Sequence, residues 1–425
     1  MSNGAIRVAI VGVGNCASAL VQGVHYYSRP ERPATDGGVS YPDIGGYAPS
    51  AISFCAAWDV DARKVGVELN EAIFAPPNCC FSIDAGVRGA AGSPVVRMAP
   101  VLDGVAPHML AHEPASHSFR LSAAAPDDMA AAVAELVRTR ADVLINYLPV
   151  GSQAATEFWA EAALAAGVPL LNCIPVFIAS DAAWEARFVA AGLPLIGDDM
   201  RSQFGASVLS QMLQELAFDR GHTVQAHIQQ NVGGNTDFLN MVDRSRLASK
   251  KISKENVIRS QNTIRGVPTE GSFLFAGPSD YIAHYGDTKV ATFRLELKGF
   301  GGAPVVFDAR LQVEDSPNSA GVVIDAIRFL KVAREMGICG ALRGASAFTQ
   351  KTPPQQLMFR DAKAECDALA RRELTDKTRS QVVDKAKRDA IEADRAAARA
   401  RAGEGAAAAA PHAAQAAAVA GGGAS

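Results

Sequence analysis

The stretch Ile6-Arg-Val-Ala-Ile-Val11, followed directly by Gly12-Val-Gly-Asn-Cys-Ala17, decides the fold of this 425-residue chain. The first six residues form a short apolar run rich in β-branched side chains, which predicts a buried strand. The next six match the G-x-G-x-x-A dinucleotide fingerprint, in which two glycines bring backbone close to a pyrophosphate and a small third residue lets a helix lie against the strand. A helix over 17–24 would then point its N-terminus at the phosphates. The pattern therefore predicts a Rossmann-like NAD site formed by Gly12, Gly14, Asn15, Cys16 and Ala17.

A carboxylate follows the next predicted strand, Ile52-Ser-Phe-Cys-Ala-Ala-Trp58. A ribose-binding acid usually lies about 20 residues beyond the glycine loop, whereas Asp59 lies 45 residues beyond Gly14 (59 − 14). We interpret 28–50, which is rich in Pro, Gly and Tyr, as an insertion that accounts for the extra length. Asp59, or Asp61 close behind it, favours NAD over NADP because a carboxylate repels a 2′-phosphate.

Strands and helices alternate up to about residue 205. The strands are predicted at 142–148, 168–173 and 193–197, and the helices between them at 156–166 and 184–191. This alternation predicts a doubly wound parallel sheet, in which ligands bind beyond the carboxyl ends of the strands. Polar residues stand at three successive strand ends, and we expect them to point toward one crevice: Asn146, Asn172, Asp198 and Asp199.

The middle of the chain has a different pattern. Residues 223–231, 272–276, 290–298 and 304–314 alternate apolar and polar side chains, which predicts antiparallel strands with one solvated face. We therefore expect an α/β chain in four parts. Residues 1–201 form a Rossmann-like domain, and residues 202–314 form an α+β catalytic and oligomerisation domain with an open, mostly antiparallel sheet and a helix at 240–257. Residues 315–360 form a return segment that packs on the first domain, and residues 361–425 form an Ala-rich solvated helix with a disordered tail.

Asn, Asp and Lys side chains are concentrated between Asn231 and Lys254, with a Gly pair among them. Asn and Asp provide fixed hydrogen-bond geometry and Lys provides positive charge, a combination that suits a polyhydroxylated anion. Lys250 and Lys254 are spaced i and i+4, so on a helix they share a face, and each would lower the other's pKa toward neutrality. Taken alone, the stretch is equally well explained as a solvated loop before an exposed helix.

Composition excludes several classes of partner. A net charge of −3 and a pI near 6.3 favour neither nucleic acid nor an anionic membrane surface, and no apolar run is long enough to span a bilayer. Seven cysteines without a C-x-x-C motif indicate reduced thiols in a cytoplasmic protein, and no His/Cys cluster has zinc spacing. A mono- or divalent cation held by oxygen ligands is compatible with the sequence, because such sites leave little trace in it.

Seven motifs, in order along residues 5–357, resemble those of the bacterial myo-inositol-1-phosphate synthase family. They are Val11-Gly-Val-Gly-Asn-Cys-Ala-Ser18, Tyr147-Leu-Pro-Val-Gly-Ser152, Pro175-Val-Phe-Ile-Ala-Ser180, Gly197-Asp-Asp-Met-Arg-Ser-Gln203, Asn231-Val-Gly-Gly-Asn-Thr-Asp-Phe-Leu-Asn-Met241, Ser249-Lys-Lys-Ile-Ser-Lys254 and Asp315-Ser-Pro-Asn-Ser-Ala-Gly321. The resemblance implies a redox-neutral conversion of D-glucose 6-phosphate into 1L-myo-inositol 1-phosphate. NAD⁺ oxidises carbon 5, the product enolises and closes by an intramolecular aldol reaction, and the new ketone is reduced again. The resemblance also implies a homotetramer.

The resemblance assigns roles to residues that match the family motifs. The catalytic set is Lys250, Lys254, Lys289, Lys351 and Asp199. The substrate set is Asn231, Asn235, Asp237, Asn240 and Ser316. Besides the glycine loop, the cofactor set is Asp59, Asn146, Leu148, Pro149, Asp198 and Asp315. Arg201 stands where the family has a lysine, and this exchange is not conservative at a tight site.

Two other functions are compatible with the same residues: a net NAD-dependent sugar-phosphate dehydrogenase and a non-catalytic NAD-binding regulator. The presence of all four lysines argues against the regulator. Any one of these lysines taken singly is better explained as an ordinary surface residue. Residues 81–126 show little family pattern, and the sequence assigns them no role.

Overall fold

The computed structural model describes residues 4–31, 37–114, 116–243, 246, 252, 259–260, 262–266, 272–383, 390 and 393. The chain divides into a large compact unit, Met1–Val382, and a terminal unit, Val383–Ser425. Lys250 and Lys254, most of the helix predicted at 240–257, and nearly all of the predicted tail lie outside the described residues. The elements below all belong to the large unit.

In chain order the strands are β1 (Ile6–Val11), β2 (Ile52–Asp59), β3 (Val96–Met98), β4 (Val143–Asn146), β5 (Leu170–Asn172), β6 (Pro194–Ile196), β7 (Thr223–Gly233), β8 (Phe273–Tyr281), β9 (Thr288–Lys298), β10 (Pro304–Glu314) and β11 (Gly340–Ala341). The described helices are α1 (Asn15–Tyr27), α2 (Leu69–Ala72), α3 (Pro107–Ala111), α4 (Met129–Arg138), α5 (Gln153–Ala166), α6 (Ala182–Ala190), α7 (Ala206–Asp219), α8 (Thr236–Asn240), α9 (Asp315–Met336), α10 (Arg343–Thr349), α11 (Phe359–Ala370) and α12 (Asp376–Arg379).

Seven parallel strands form the first sheet, in the order β11-β6-β5-β4-β1-β2-β3. The inner strand β1 sends Val8 and Ile10 into one hydrophobic core and Ala9 and Val11 into another, so both faces of the sheet are covered. The strand order reverses between β1 and β4, which is where a doubly wound sheet opens a crevice for a ligand. The predicted Rossmann-like sheet is confirmed.

The second sheet is mixed, in the order β10-β9-β7-β8. β9 pairs antiparallel with both β7 and β10, as expected, and α7 packs Leu209 and Leu213 against its Phe293 and Leu295. The prediction that β8 is also antiparallel is wrong, because β8 runs parallel to β7. The 39 residues between Gly233 and Phe273 (273 − 233 − 1) make this possible, since a parallel pair needs a long crossover.

The 22-residue helix α9 returns the chain to the parallel sheet, where it lies against α1, β4, β5 and β6. Its buried Asp325–Arg328 pair fixes the insertion that follows α1. Arg328 donates to the carbonyls of Tyr41 at 2.9 Å and Tyr47 at 3.1 Å, and Asp325 accepts from the Ser40 amide at 3.1 Å. Even this helix does not qualify as a membrane span, and neither does any other helix of the described ranges.

The segment that begins at residue 361 differs from its prediction. We expected a solvated helix, but α11 buries Ala362, Cys366 and Leu369 in the cores beside α9 and α10. The prediction failed because three small or medium apolar residues at helical spacing are enough to form a buried stripe, even in an Ala-rich and charged segment.

Candidate functional site

One cleft lies between the carboxyl ends of the parallel strands and the mixed sheet. It brings together fifteen of the predicted site residues: Gly12, Gly14, Asn15, Cys16, Asp59, Leu148, Pro149, Asp199, Asn231, Asn235, Asp237, Lys289, Asp315, Ser316 and Lys351. Four others do not line the cleft: Ala17, Asn146, Asp198 and Asn240. Lys250 and Lys254, outside the described residues, complete the predicted set.

The glycine loop forms the floor of the cleft. Gly12 has a φ of +91°, and a Cβ there would lie 2.6 Å from the Tyr147 carbonyl oxygen, so the loop fits tightly against the β4–α5 connection. A Cβ on Gly14 would meet nothing within 4 Å. Gly14 also caps α1 without a side-chain hydrogen bond, and the first turn of the helix carries no acidic residue. The loop therefore presents an open, electropositive helix end, as a pyrophosphate requires.

Asp59 and a lysine that the sequence did not single out hold this loop from below. The Asp59 carboxylate accepts from the backbone amides of Val13 at 2.7 Å, Val60 at 2.7 Å and Asp61 at 2.9 Å. Lys64 is 2% exposed, donates to the Val13 carbonyl at 2.8 Å and lies 3.9 Å from Asp59. Asp59 thus bonds the N–H of Val13 and Lys64 bonds its C=O, so the two side chains together fix the position of this residue. Asp61 is off the cleft wall and pairs with Arg63.

Lys351 and Asp199 form an ion pair at the end of the parallel sheet. The Lys351 Nζ donates to Asp199 Oδ1 at 2.9 Å and to the Met200 carbonyl at 2.8 Å. The Lys351 backbone N–H also donates to the Asp199 carbonyl at 2.7 Å. Backbone contacts therefore fix both partners, and the ammonium group lies on the cleft wall.

A second pair, Lys289 and Asp315, lies where β9 meets the start of α9. The Lys289 Nζ donates to Asp315 Oδ1. Asn235 Nδ2 lies 3.4 Å from Asp315 Oδ2 and 3.1 Å from Oδ1 of Asp287, a buried acid that the sequence did not single out. Burial, and then the charge of Asp315, raises the pKa of Asp287 to about 7. Asp315 thus bonds the second lysine, and Asn235 links Asp315 to Asp287.

Cys16 occupies the first turn of α1 on the cleft wall. Burial, and then the charges of Asp315 and Asp287, raises the pKa of its thiol to about 12. The thiol is therefore neutral at physiological pH, which suits a packing role in the glycine loop better than nucleophilic catalysis.

The expectation that the strand-end polar residues all point into one crevice is wrong for three of the four. Asn146 Nδ2 donates to Asn172 Oδ1 at 2.9 Å, and Asn172 Nδ2 donates to Asp198 Oδ1 at 2.7 Å. Asp198 also accepts from the backbone amides of Ile178, Ala179 and Ser180. These residues form a buried network between β4, β5 and β6, and only Asp199 reaches the cleft. The position of a residue at a strand end determines the edge of the sheet at which it lies, but it does not determine where its side chain points.

The other two predicted site residues that do not line the cleft, Ala17 and Asn240, make structural contacts. Ala17 is fully buried in the core under α1. Asn240, at the end of α8, donates from Nδ2 to the Val150 carbonyl at 2.9 Å. That contact ties the helix carrying Asp237 to the β4–α5 connection.

Arg201 is buried behind Lys351 rather than on the cleft wall. Its Nε donates to the Gln350 carbonyl at 2.6 Å and its Nη1 to Gln211 Oε1 at 2.5 Å. Burial lowers the pKa of its guanidinium to about 10, which leaves it charged at neutral pH. Arg201 therefore supports the backbone next to Lys351.

Part of the unassigned segment 81–126 forms a wall of the cleft. Pro100, Val101, Val105 and Phe119 line it near Asp59. Asp103 accepts from the amides of Ala154 at 2.8 Å and Ala155 at 2.9 Å and so caps α5. Sequence reasoning missed these residues because no periodic pattern marks them. It also missed other residues of the cleft wall: Lys64, Asn78, Tyr147, Ser202, Ser207 and Gln229.

A metal centre is not evident in the part of the chain that the structure describes, since no three His, Cys, Asp or Glu side chains there are grouped to hold an ion. The seven cysteines all lie within that part of the chain, and no disulfide joins any two of them.

Several known proteins are similar to this chain in sequence, in fold or in both. A sequence profile of myo-inositol-1-phosphate synthase matches residues 205–316. Inositol-3-phosphate synthase of Mycolicibacterium smegmatis is 45% identical over 368 residues, which cover 86% of this chain and 98% of that protein. The Corynebacterium glutamicum protein of the same name is 45% identical over 361 residues, covering 84% and 96%.

A solved structure agrees at the level of the fold. The myo-inositol-1-phosphate synthase-related protein of Thermotoga maritima, 23% identical, superposes with a TM-score of 0.70 over 86% of this chain and 98% of its own. The sequence identities extend over almost the whole length of both relatives. The chain belongs to the myo-inositol-1-phosphate synthase family.

Proposed function

We propose that this protein is an inositol-3-phosphate synthase, which isomerises D-glucose 6-phosphate to 1L-myo-inositol 1-phosphate without net oxidation. One observation carries the proposal: a single cleft wall combines a dinucleotide-type glycine loop with two lysine–aspartate pairs, Lys351–Asp199 and Lys289–Asp315. A simple dehydrogenase needs one group to accept the alcohol proton, whereas oxidation followed by an aldol closure requires proton transfer and oxyanion stabilisation at several atoms.

The residues present fit NAD as the cofactor. Gly14 leaves open space above the N-terminus of α1 for a pyrophosphate, and the Asp59 carboxylate lies at the end of β2, where an adenosine ribose is expected. When bound, NAD would supply the oxidation of carbon 5 and the later reduction of the ring ketone. Leu148 and Pro149 would line the nicotinamide half of the site.

The charged pairs would move protons and stabilise oxyanions. The Asp199 carboxylate would take up the proton that the carbon 5 hydroxyl loses, and the Lys351 ammonium group bonded to it would stabilise the developing alkoxide. The ketone at carbon 5 then acidifies the proton on carbon 6, and loss of that proton gives an enolate whose oxygen needs a cation. Lys289 would supply one such cation, and Lys250 and Lys254 would supply the others. The enolate carbon bonds to carbon 1, and the former aldehyde oxygen takes up a proton in place of the one that carbon 6 lost, so the closure is neutral in protons.

Polar residues on the mixed-sheet side would orient the sugar. Asp237 and Ser316 lie on the cleft wall beside Asn231, and we assign them to the substrate hydroxyls. Asn235 has a mainly supporting role in this proposal, since its Oδ1 accepts from the amides of Asp237 at 3.1 Å and Phe238 at 3.3 Å.

The substrate phosphate would bind at the N-terminus of α7. Its capping residue Gly205 makes no side-chain hydrogen bond, the first turn has no acidic residue, and Ser202 and Ser207 line the cleft there. Free N–H groups at a helix start, together with the helix dipole, favour an anion.

The same proposal includes a homotetramer. Within the described residues β10 pairs with β9 alone, and its Val305, Val306 and Phe307 are 40%, 50% and 40% exposed. Apolar side chains on an unpaired edge favour association. We expect Val306→Lys to lower the mass measured by analytical ultracentrifugation, and Phe81→Lys, at an exposed site elsewhere, to leave it unchanged. An unchanged mass in Val306→Lys would contradict association through β10.

The decisive experiment incubates the purified protein with glucose 6-phosphate and NAD⁺, and follows phosphorus NMR together with NADH absorbance. Inositol phosphate without net NADH supports the synthase. Stoichiometric NADH identifies a dehydrogenase, and bound NAD without a product identifies the regulator. Chelation and exchange of the monovalent salt in the same assay test the predicted cation, and fractionation of cells tests the cytoplasmic location.

Two glycine variants test the NAD site without relying on turnover. Gly14→Ala places a methyl group in the open space above α1, so we expect weaker NAD binding in calorimetry with an unchanged free energy of unfolding. Gly12→Ala meets the Tyr147 carbonyl and a positive φ, so we expect it to destabilise the fold itself. An undiminished NAD affinity in Gly14→Ala would contradict the proposal that the pyrophosphate binds at this loop.

A third variant tests the lysine stretch that lies outside the described residues. We expect Lys254→Ala to abolish inositol phosphate formation and to leave NAD bound. Turnover at the wild-type rate in this variant would refute the role assigned to Lys254.

A further inference from the structure

We propose that His227, which does not line the cleft, is a positioning residue for it: acting through Ser210 and Gln229, His227 holds the Asn231 side-chain amide in one orientation. The inference rests on the proposed function, because that function assigns Asn231 to the sugar phosphate. His227, Gln229 and Asn231 alternate along β7, a spacing that places their side chains on one face of the strand. Gln229 and Asn231 line the cleft, whereas His227 is buried away from it.

A continuous line of hydrogen bonds joins His227 to the cleft. The ring Nε2 lies 3.0 Å from the hydroxyl oxygen of Ser210, on α7, and that hydroxyl donates to Gln229 Oε1 at 2.8 Å. Gln229 Nε2 donates to Asn231 Oδ1 at 3.1 Å, and Asn231 Nδ2 donates to the Gly277 carbonyl of β8 at 2.8 Å. None of the four side chains is more than 3% exposed, so water competes little with these bonds.

The Gly277 carbonyl gives this line a single direction. A carbonyl only accepts, so it faces the Asn231 nitrogen, and the Asn231 oxygen therefore faces the Gln229 nitrogen. The Gln229 oxygen takes the one proton of the Ser210 hydroxyl, whose oxygen is left to accept from the His227 ring. The reverse direction would place the Asn231 oxygen against the Gly277 carbonyl oxygen, which is repulsive. The line therefore requires a proton on Nε2 of His227.

Burial keeps the His227 ring in the form that this line requires. Burial lowers the pKa of His227 to about 4, so the ring is neutral at physiological pH and its one proton lies on Nε2. Nδ1 then accepts. It lies 3.0 Å from Oε1 of the buried Gln214, whose Nε2 contacts Asn262 Oδ1 at 2.6 Å. Rotation of both amides by 180° turns an N–H toward Nδ1 and keeps both contacts, because the two ends of an amide are nearly equal in size.

Packing alone does not account for a polar line between α7 and β7. Nearby, α7 packs two leucines, Leu209 and Leu213, against the apolar side chains of β9. Buried polar groups are costly unless they are bonded, and apolar residues of the same shape join two elements at no greater cost. The polar line runs instead from His227 to two side chains of the cleft wall. Support of those two side chains explains why it is polar.

The test measures binding of the sugar phosphate apart from turnover. Calorimetry gives the affinity of glucose 6-phosphate for the NADH-loaded protein, in which carbon 5 cannot be oxidised. We expect His227→Leu to weaken this binding about tenfold, because the Gln229 and Asn231 amides lose their fixed orientation. In the turnover assay the KM for glucose 6-phosphate should rise by about the same factor, while kcat changes less than about twofold. NAD affinity should stay unchanged.

Three further variants separate positioning from a merely structural role. His227→Gln places an amide N–H near the position of Nε2 and should restore most of the affinity that His227→Leu loses. Ser210→Ala breaks the line one step nearer the cleft and should weaken binding as His227→Leu does. The matched control is Ser272→Ala, which removes a hydroxyl that bonds the same strand at the Val224 carbonyl at 2.9 Å and should bind like the wild type.

Wild-type affinity in His227→Leu or in Ser210→Ala overturns the proposal, and so does a loss in His227→Gln as large as that in His227→Leu. If His227→Leu does not fold, Ser210→Ala decides. A crystal structure of Ser210→Ala gives a result that needs no substrate: unchanged Gln229 and Asn231 side chains overturn the proposal. Absence of inositol phosphate formation in the wild type would refute the synthase, and this structure would still show whether the line positions Asn231.

Discussion

The two lysine–aspartate pairs line the same cleft but are supported in different ways. Lys351 and Asp199 are fixed by backbone groups at the end of the parallel sheet, the Met200 carbonyl among them. Asp315, which bonds Lys289, lies beside a further buried carboxylate, Asp287, to which Asn235 links it. Backbone groups therefore hold the first pair in place, whereas the second pair lies next to a carboxylate, Asp287, whose pKa of about 7 makes it titrate near neutrality.

The largest effect is expected from removal of either lysine. Lys351→Met and Lys289→Met should each lower the rate of inositol phosphate formation by about 10²–10³-fold, since each removes a cation aimed at developing negative charge. Phosphorus NMR measures the product, and calorimetry should find NAD affinity nearly unchanged. Lys298→Met, at the exposed end of β9, is the control. If one of the two cleft variants keeps wild-type turnover, that pair does not take part in the chemistry.

The next largest effect is expected on NAD affinity, at Lys64, which contacts the glycine loop at the parallel sheet. Lys64→Met should weaken NAD binding about tenfold, because the Val13 carbonyl and Asp59 lose their common cation and the glycine loop loses its alignment. Calorimetry with NAD measures this, and Arg63→Met, which breaks the nearby contacts with Asp61 and with the Ser118 carbonyl, is the matched control. Equal losses in both variants would mean that Lys64 has no special role at the loop.

A smaller effect is expected from the titration of Asp287, which lies beside the Lys289–Asp315 pair. Asp287 has a pKa of about 7 in the folded protein and an ordinary value of 3.8. The folded state therefore binds the extra proton between these values, and the contribution of Asp287 to stability is complete below pH 4 and lost as the pH rises through 7. The free energy of unfolding of wild type relative to Asp287→Asn should fall by roughly 1–3 kcal/mol between pH 4.5 and 8. Urea unfolding at both pH values measures it, and a constant difference would contradict the raised pKa.

Local signals predicted the parallel-sheet side well. The bounds of β1 agree with the apolar run at 6–11, and the glycine loop lies where the fingerprint places it. Both features depend on neighbours in sequence, namely strand periodicity and the conformational needs of a tight turn. The strand β10 was likewise predicted at 304–314 from alternation alone.

Features that depend on distant contacts could not be predicted in the same way. The parallel direction of β8 follows from a long crossover, and the direction of the Asp198 side chain follows from donors in the 178–180 turn. Lys64 and Asp287 look like ordinary charged residues in the sequence. Their importance arises because the fold buries them against Val13 and against Asp315.

The smallest effect is expected at Arg201, where the resemblance to the family implies a lysine. Because Arg201 contacts the Gln350 carbonyl and Gln211 but not the cleft, it belongs to the backbone support of Lys351. Arg201→Lys keeps the charge and loses part of these hydrogen bonds, so we expect a cost of about 1–2 kcal/mol in the free energy of unfolding and less than about a twofold change in kcat. Urea unfolding and the phosphorus NMR assay measure the two quantities. A tenfold change in kcat with unchanged stability would mean that position 201 acts on the chemistry itself and not through the backbone that supports Lys351.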